Sequence, residues 1–266
     1  MRYDISGTVM QTVSIDLAAG EQVYSQTAAM AWMTDNIVMD THTGGGLFAG
    51  IKRAMSGGSL FITDFTAEGA PGQIAFAPRF PGKIVPMALA PGQSLICRKE
   101  TFLCAEKSVG LEIAWQQRFG AGLFAGEGFI LQRVTGPGTA FLDLSGEVIE
   151  KTLRPGERLL VSAGHIGMQD PSVETDIQMV RGFRNFLFGG EGLFLATMTG
   201  PGRIWLQSMP IMNLAEEIFR HMPADEGGGD SDLGGGVGGA VATGVAGAAI
   251  GGILGGMFGG GGDDDS

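Results

Sequence analysis

The run Gly122-Leu123-Phe124-Ala125-Gly126-Glu127-Gly128 leads into Phe129-Ile130-Leu131-Gln132-Arg133-Val134-Thr135 and closes on Gly136-Pro137-Gly138. Its middle is a short stretch of apolar and β-branched residues, bracketed by glycines on one side and a Pro-Gly turn on the other, which reads as one strand. Sixty-four residues later it returns: Leu187-Phe188, Gly190-Glu191-Gly192 and Thr199-Gly200-Pro201-Gly202 occupy the same places. Residues 89–144 align on 153–208 without a gap, with 19 of 56 positions identical, so the chain contains an internal duplication. A more diverged copy opens the chain. Leu17, Gly20, Val23, Trp32 and Ile37 fall on Leu89, Gly92, Leu95, Cys104 and Val109 at a shift of 72, and Gly46-Leu47-Phe48-Ala49-Gly50 answers 122–126. The extra length of this first copy sits mainly in an insertion at 51–57.

A period near 64 is too long for a helical solenoid unit, so each copy is expected to be a small sheet module. Six of the eleven prolines precede glycine, at 71, 81, 91, 137, 155 and 201. Proline presets φ at the first central position of a type II turn and glycine supplies the positive φ at the second, so type II turns are expected at these sites. Between them lie short alternating runs such as 60–63, 129–134 and 158–161. The expected fold is all-β: triplicated β-sandwich or barrel modules over residues 1–223, with repeats at about 13–86, 87–150 and 151–210. A short helix is expected over 213–222, where Asn213 and Glu216 form a capping-box-like start, Leu214, Ile218 and Phe219 an apolar stripe, and Pro223 the stop.

Composition divides the chain at the same point. Of 266 residues 47 are glycine, and residues 224–266 hold 18 of these together with seven acids and no Lys or Arg. Taking those seven charges from the net −11 leaves the body at −4. No basic footprint remains for a nucleic-acid partner. The first twenty residues carry Arg2, Asp4 and Asp16 and lack the apolar core of a secretory signal, which points to the cytoplasm. Two cysteines and three histidines argue against a disulfide framework or a metal centre built from imidazole and thiolate. The glycine runs at 44–46 and 189–190 lack the Lys-Ser/Thr ending of a phosphate loop, and no cofactor is expected.

Two signatures carry a family resemblance. The first is Gly44-Gly45-Gly46-Leu47-Phe48-Ala49-Gly50-Ile51-Lys52-Arg53, followed by Ser59-Leu60-Phe61, Phe65-Thr66 and Pro81-Gly82-Lys83-Ile84; the second is Gly189-Gly190-Glu191-Gly192-Leu193-Phe194, followed by Thr199-Gly200-Pro201-Gly202 and Trp205-Leu206-Gln207-Ser208. Over roughly residues 1–222 the chain resembles the bacterial family of unknown function related to the yeast "altered inheritance of mitochondria" protein. The resemblance implies a duplicated β fold similar to the tryptophan RNA-binding attenuation protein, together with self-assembly; it supplies no reaction. Gly58 stands where the other copies have Glu127 and Glu191, so an equivalent acidic site in all three copies is not implied.

Four groups are candidate sites. Glu127 and Glu191 are equivalent carboxylates in Gly-Glu-Gly settings: either a paired acid site or, more simply, charges at strand entries bonding their own turns. Lys52 and Arg53 in the first-copy insertion are placed to touch a phosphate or an anionic headgroup, or form a solvated loop. Asp40-Thr41-His42 sets an acid and a base on one strand face, without a nucleophile nearby. Cys97 and Cys104 align with Val161 and Met168 and with Ser25 and Trp32, hence at packing positions; a bend at Glu100-Thr101 is expected to bring them face to face across a hairpin. His165 falls at the equivalent bend of the third copy.

In the tail, small residues recur at every fourth place: Gly235, Gly239, Thr243, Gly247, Gly251, Gly255 and Gly259. In a helix this spacing makes a glycine face suited to close helix pairing, within a membrane or between copies, whereas the same composition also suits a flexible tail. The reading that emerges is a non-enzymatic, homo-oligomeric β-scaffold, cytoplasmic or peripheral to a membrane through its tail. A small-ligand, RNA or anionic-lipid binding module is the alternative, and a hydrolase using Asp40, His42 and Glu191 the remote one.

Overall fold

The fold is seen in a computed structural model, which describes residues 1–26, 29–43, 61–117, 129–179 and 194–210, together with Asn213, Leu214, Ile218 and His221. These four isolated residues have helical backbone; the helix expected over 213–222 and the tail from 224 otherwise lie outside the described residues.

Strand β1 (Arg2–Ser6) precedes a pattern of six strands that occurs three times. The first set is β2 (Thr12–Leu17), β3 (Gln22–Ser25), β4 (Met30–Met33), β5 (Ile37–Thr43), β6 (Phe61–Ala67) and β7 (Gly72–Phe76). The second is β8 (Gly82–Leu89), β9 (Ser94–Arg98), β10 (Phe102–Glu106), β11 (Gly110–Gln117), β12 (Phe129–Thr135) and β13 (Gly138–Ser145). The third is β14 (Val148–Leu153), β15 (Arg158–Ser162), β16 (Ile166–Gln169), β17 (Glu174–Met179), β18 (Phe194–Thr199) and β19 (Gly202–Gln207).

The first turn of each set is the same object. Glu21, Gln93 and Glu157 each donate their backbone N–H to the carbonyl three residues back, on Ala18, Ala90 and Arg154, at 2.9, 3.0 and 2.9 Å. The side-chain oxygens of these three residues accept in return from the N–H of Ala18, Ala90 and Arg154 at 2.7, 3.0 and 2.8 Å. Between them Gly20, Gly92 and Gly156 hold φ of +83°, +77° and +76°, the conformation a type II turn asks of its second central residue. The other Pro-Gly pairs differ from expectation. The peptide bonds Gly136-Pro137 and Gly200-Pro201 are cis, and Gly72 and Gly82 do not have the positive φ that a type II turn asks for.

Each set splits between two sheets, and neighbouring sets share a sheet. The sheet orders are β1-β2-β7-β4, then β5-β6-β3-β10-β13-β8, then β11-β12-β9-β16-β19-β14, then β15-β18-β17, with every ladder antiparallel. Three apolar cores fill the spaces between successive sheets. The first holds Val13, Ile15, Ile74 and Phe76 against Val23, Phe65, Leu103, Cys104 and Phe141. The second sets Leu142, Leu144, Tyr24 and Phe102 against Leu95, Val134, Met168 and Trp205. The third sets Ile96, Phe129, Ile166 and Ile204 against Val161, Ile177, Ala196 and Met198. The two middle sheets are therefore buried on both faces, which is why β9, β10, β12 and β13 read as nearly continuous apolar runs rather than strict alternation.

Candidate functional site

The junction between sets is a short antiparallel pairing, made twice within the chain. At the first junction β3 pairs with β10, with Tyr24 opposite Ala105 and Val23 opposite Glu106; the N–H of Lys107 donates to the carbonyl of Gln22 at 3.2 Å, and the Lys107 ammonium pairs with Asp64. At the second, β9 pairs with β16, with Cys97 opposite Met168 and Ile96 opposite Gln169. A third junction of this kind would need β15, which corresponds to β3 and β9, and β4, which corresponds to β10 and β16. Those two strands stand at opposite ends of the sheet series. Among the described residues β4 pairs only with β7, and β15 only with β18.

The correspondence of β4 with β10 and β16 is fixed by an irregularity. In all three, the ladder to the last strand of the set skips one residue: between Met30 and Trp32, between Phe102 and Cys104, and between Ile166 and Met168. Trp32, Cys104 and Met168 are thus one position. Cys104 and Met168 are 0% exposed, each buried in the core of the preceding set, whereas Trp32 is 45% exposed. Leu160 repeats the contrast on the other side. Its counterparts Tyr24 and Ile96 are 4% and 6% exposed, each lodged in the core of the following set, and Leu160 is 66% exposed. β4 reads Met-Ala-Trp-Met, with none of the charges or prolines by which an edge strand ordinarily resists pairing.

Among the residues singled out in the sequence, Cys97 lies at a junction, opposite Met168. Lys52, Arg53, Glu127, Glu191 and the tail glycines Gly239, Gly247, Gly251, Gly255 and Gly259 lie outside the described residues. Asp40 is an exposed residue of β5, opposite Asp64 of β6 in the ladder; the side chain of His42 is not among those described. His165 ends a single 3₁₀ turn, Ala163–His165, and its Nδ1 lies 2.8 Å from the carbonyl oxygen of Gln207, a structural bond at the bend. Among the described residues no group of three or more His, Cys, Asp or Glu side chains is placed to hold a metal ion.

The cysteines require a correction. Cys97 and Cys104 do flank a bend, the 3₁₀ turn Lys99–Thr101, but the bend carries the chain from one sheet to another instead of folding a hairpin. Cys97 faces the second core and Cys104 the first, so they do not confront each other and both thiols are free. Burial pushes the Cys97 thiol up to about 12 and the Cys104 thiol well above its ordinary value, so neither is a ready thiolate. Sequence reading also missed Asp143 of β13. Its carboxyl is pushed up to about 7 by burial, and its Oδ1 has no hydrogen-bond partner. A shallow cleft at the first junction is lined by Leu17, Glu21, Gln22, Glu106 and Lys107. Glu21 caps Ala18, Gln22 Nε2 donates to Thr66 Oγ1 at 2.7 Å, and Lys107 is held by Asp64.

Residues 3–209 match the family described as mitochondrial biogenesis AIM24. The chain belongs to the AIM24 family. It is 31% identical over 232 residues to an uncharacterised protein of Streptococcus pyogenes serotype M6, across 84% of this chain and 92% of that one. A Streptococcus pyogenes protein solved by X-ray crystallography superposes with a TM-score of 0.68 at 28% identity, covering 83% of this chain and 99% of the other. The match ends where the β body ends, so the glycine-rich tail is an addition to the part that defines the family. No described helix is long and apolar enough to cross a membrane.

Proposed function

We propose that this AIM24-family chain is a non-enzymatic scaffold that self-associates through its β body, and that the tail beyond residue 223 links the assembly to a membrane or to further copies. The observation that carries the reading is the pair of open edges, β4 and β15, where Trp32 and Leu160 lie exposed at positions buried in the other two sets. A bare apolar edge of this kind is a template for pairing with another chain. Two further features support the same view: burial keeps the two thiols from being ready thiolates, and in the shallow cleft Lys107 is held by Asp64 and Glu21 caps Ala18.

Light scattering on the full chain and on the body truncated after Pro223, with flotation on liposomes of neutral and anionic composition, tests both halves. Oligomeric mass for both forms supports assembly by the body, and flotation of the full chain alone assigns membrane contact to the tail. A monomeric body that does not float removes the proposal.

A further inference from the structure

Strand β1 stands outside the repeated pattern and is lightly held. Among the described residues it pairs only with β2, from Arg2 opposite Asp16 to Ser6 opposite Thr12. Four of its five residues are exposed and Ile5 is half-buried. It reaches the neighbouring sheet at two places. Tyr3 sets its ring edge-to-face on Phe141 of β13, with centroids 4.9 Å apart and planes at 84°. The turn that follows is bonded to the start of β8: the N–H of Gly82 donates to the carbonyl of Val9 at 2.7 Å, the Lys83 ammonium to that of Thr8 at 2.9 Å, and the N–H of Ile84 to Gln11 Oε1 at 2.7 Å. In the β8–β13 ladder Gly82 and Ile84 stand opposite Ser145 and Asp143. The two attachments therefore bracket Asp143.

Asp143 shares its sheet face with Phe141 and Ile84, which belong to the first core, while Leu142 and Leu144 turn into the second. Its Oδ1 is cut off from solvent and has no hydrogen-bond partner. The surrounding ionisable groups do not compensate it. Lys83, opposite Leu144, springs from the other face and is engaged by Thr8 and Glu147. On β1, Arg2 and Asp4 alternate with Tyr3 and Ile5 and are exposed, Arg2 bonded to Asp16 of β2 and Asp4 to Ser6. Residues 7–11 of the turn contain no ionisable side chain. On the other flank, β10 brings the buried thiol of Cys104, opposite Phe141, and Glu106 at its far end, and the 3₁₀ turn before it brings Lys99 and Glu100, the latter paired with Arg98. Burial sets the titration of Asp143, which moves from 3.8 to about 7.

We infer that β1 and the turn behind it form a pH-operated strap, closed over Asp143 while its carboxyl carries a proton and loosened when that proton is lost. A buried carboxylate needs hydrogen-bond donors, and with none on its Oδ1 ionisation calls for water. β13 lies inside its sheet between β10 and β8, whereas β1 has one ladder and little buried surface, so β1 is the cover that lifts at least cost. The sign follows from the raised titration: the covered carboxyl holds a proton that the wetted one has released, so opening is favoured progressively from pH 3.8 to about 7 and gains nothing further above that. Lifting β1 bares the outer edge of β2 and the ring of Phe141, which the closed form hides.

The test is amide hydrogen exchange of the full chain, read by mass spectrometry between pH 5 and pH 8 with each rate corrected for its intrinsic pH dependence. Protection of peptides covering Arg2–Ser6 and residues 82–84 is expected to fall at least about tenfold between pH 5 and pH 7 and to level off above that, while β9 and β12 keep theirs. Asp143→Asn, neutral throughout, is expected to keep the strap protected across the range. Should that variant fail to fold, Tyr3→Ser supplies the check: it is expected to leave the strap less protected already at pH 5 with β9 and β12 unchanged, and unaltered strap protection overturns the inference. Strap protection that does not vary with pH in the native chain, an equal fall in Asp143→Asn, or a fall shared equally by β9 and β12 also overturns it.

Discussion

Replacing Trp32 by serine separates the joint between chains from the fold of each chain. Trp32 is 45% exposed in the single chain, and a Trp side chain offers on the order of 250 Å², so about 110 Å² of apolar surface awaits a partner. At about 25 cal/mol per Å² its burial contributes about 3 kcal/mol per joint, which corresponds to roughly a hundredfold in dissociation constant. The part already covered packs along β7 beside Ala75, so the substitution also costs the fold, and far-UV circular dichroism at the working temperature must first show an intact body. The assay is sedimentation velocity over a dilution series, comparing the concentrations at which the assembly of the native chain and of Trp32→Ser falls apart. The expected result is a rise of about a hundredfold in that midpoint with an unchanged spectrum. A midpoint shifted by less than about threefold, well under 1 kcal/mol, refutes the argument that self-association buries Trp32.

Other outcomes follow from the same structure. Leu160→Ser, at a side chain 66% exposed in the single chain, is expected to weaken association by about tenfold while leaving the melting temperature of the dissociated body unchanged. Asp143 gives a pH dependence whose sign is set by burial. Its carboxyl titrates near 3.8 when unfolded and near 7 when folded, so between these values the native state holds a proton that the unfolded state has released, and stability falls as pH rises through that window. The loss amounts to at most about 4 kcal/mol; Asp143→Asn is expected to flatten the fall in urea midpoint between pH 5 and pH 8, and an unchanged slope contradicts the assignment. Gln132 is fully buried with neither amide atom bonded, so Gln132→Met is expected to stabilise the body by about 1 kcal/mol, read as a melting temperature higher by about 2–4 °C. Gly92→Ala meets no neighbour but forces alanine to φ +77°, at a cost of about 1–2 kcal/mol; Gly82→Ala sets a Cβ 2.2 Å from the Leu144 carbonyl oxygen and is expected to cost more.

Much of the architecture was legible because the duplication placed each turn residue in view twice or three times. Gly20, Gly92 and Gly156 announced three equivalent turns, and aligning Trp32 with Cys104 and Met168 marked one packing position. What the sequence could not convey was which of these positions is covered. Burial of Cys104 and Met168 depends on a neighbouring set lying against them, and no such set lies against Trp32 among the described residues. The hairpin expected between Cys97 and Cys104 failed for a related reason. A three-residue bend looks the same locally whether the strands beyond it pair or enter different sheets, and here each strand finds its partner in an adjacent set. The cis bonds at Gly136-Pro137 and Gly200-Pro201 were likewise hidden, since a Pro-Gly pair fixes the proline's φ but not the isomer of the bond before it. The signatures around Lys52, Glu127 and Glu191 remain a reading of the sequence, and so does the glycine ladder of the tail.

The β body, with both terminal edges open, is expected to assemble without its tail. The measurement that meets this most directly is the molar mass of the body truncated after Pro223, followed by light scattering across a wide concentration range. The expected mass is several times that of one body, falling to one body on dilution and at lower concentrations than for Trp32→Ser. A single-body mass at every concentration, with the fold intact, contradicts it.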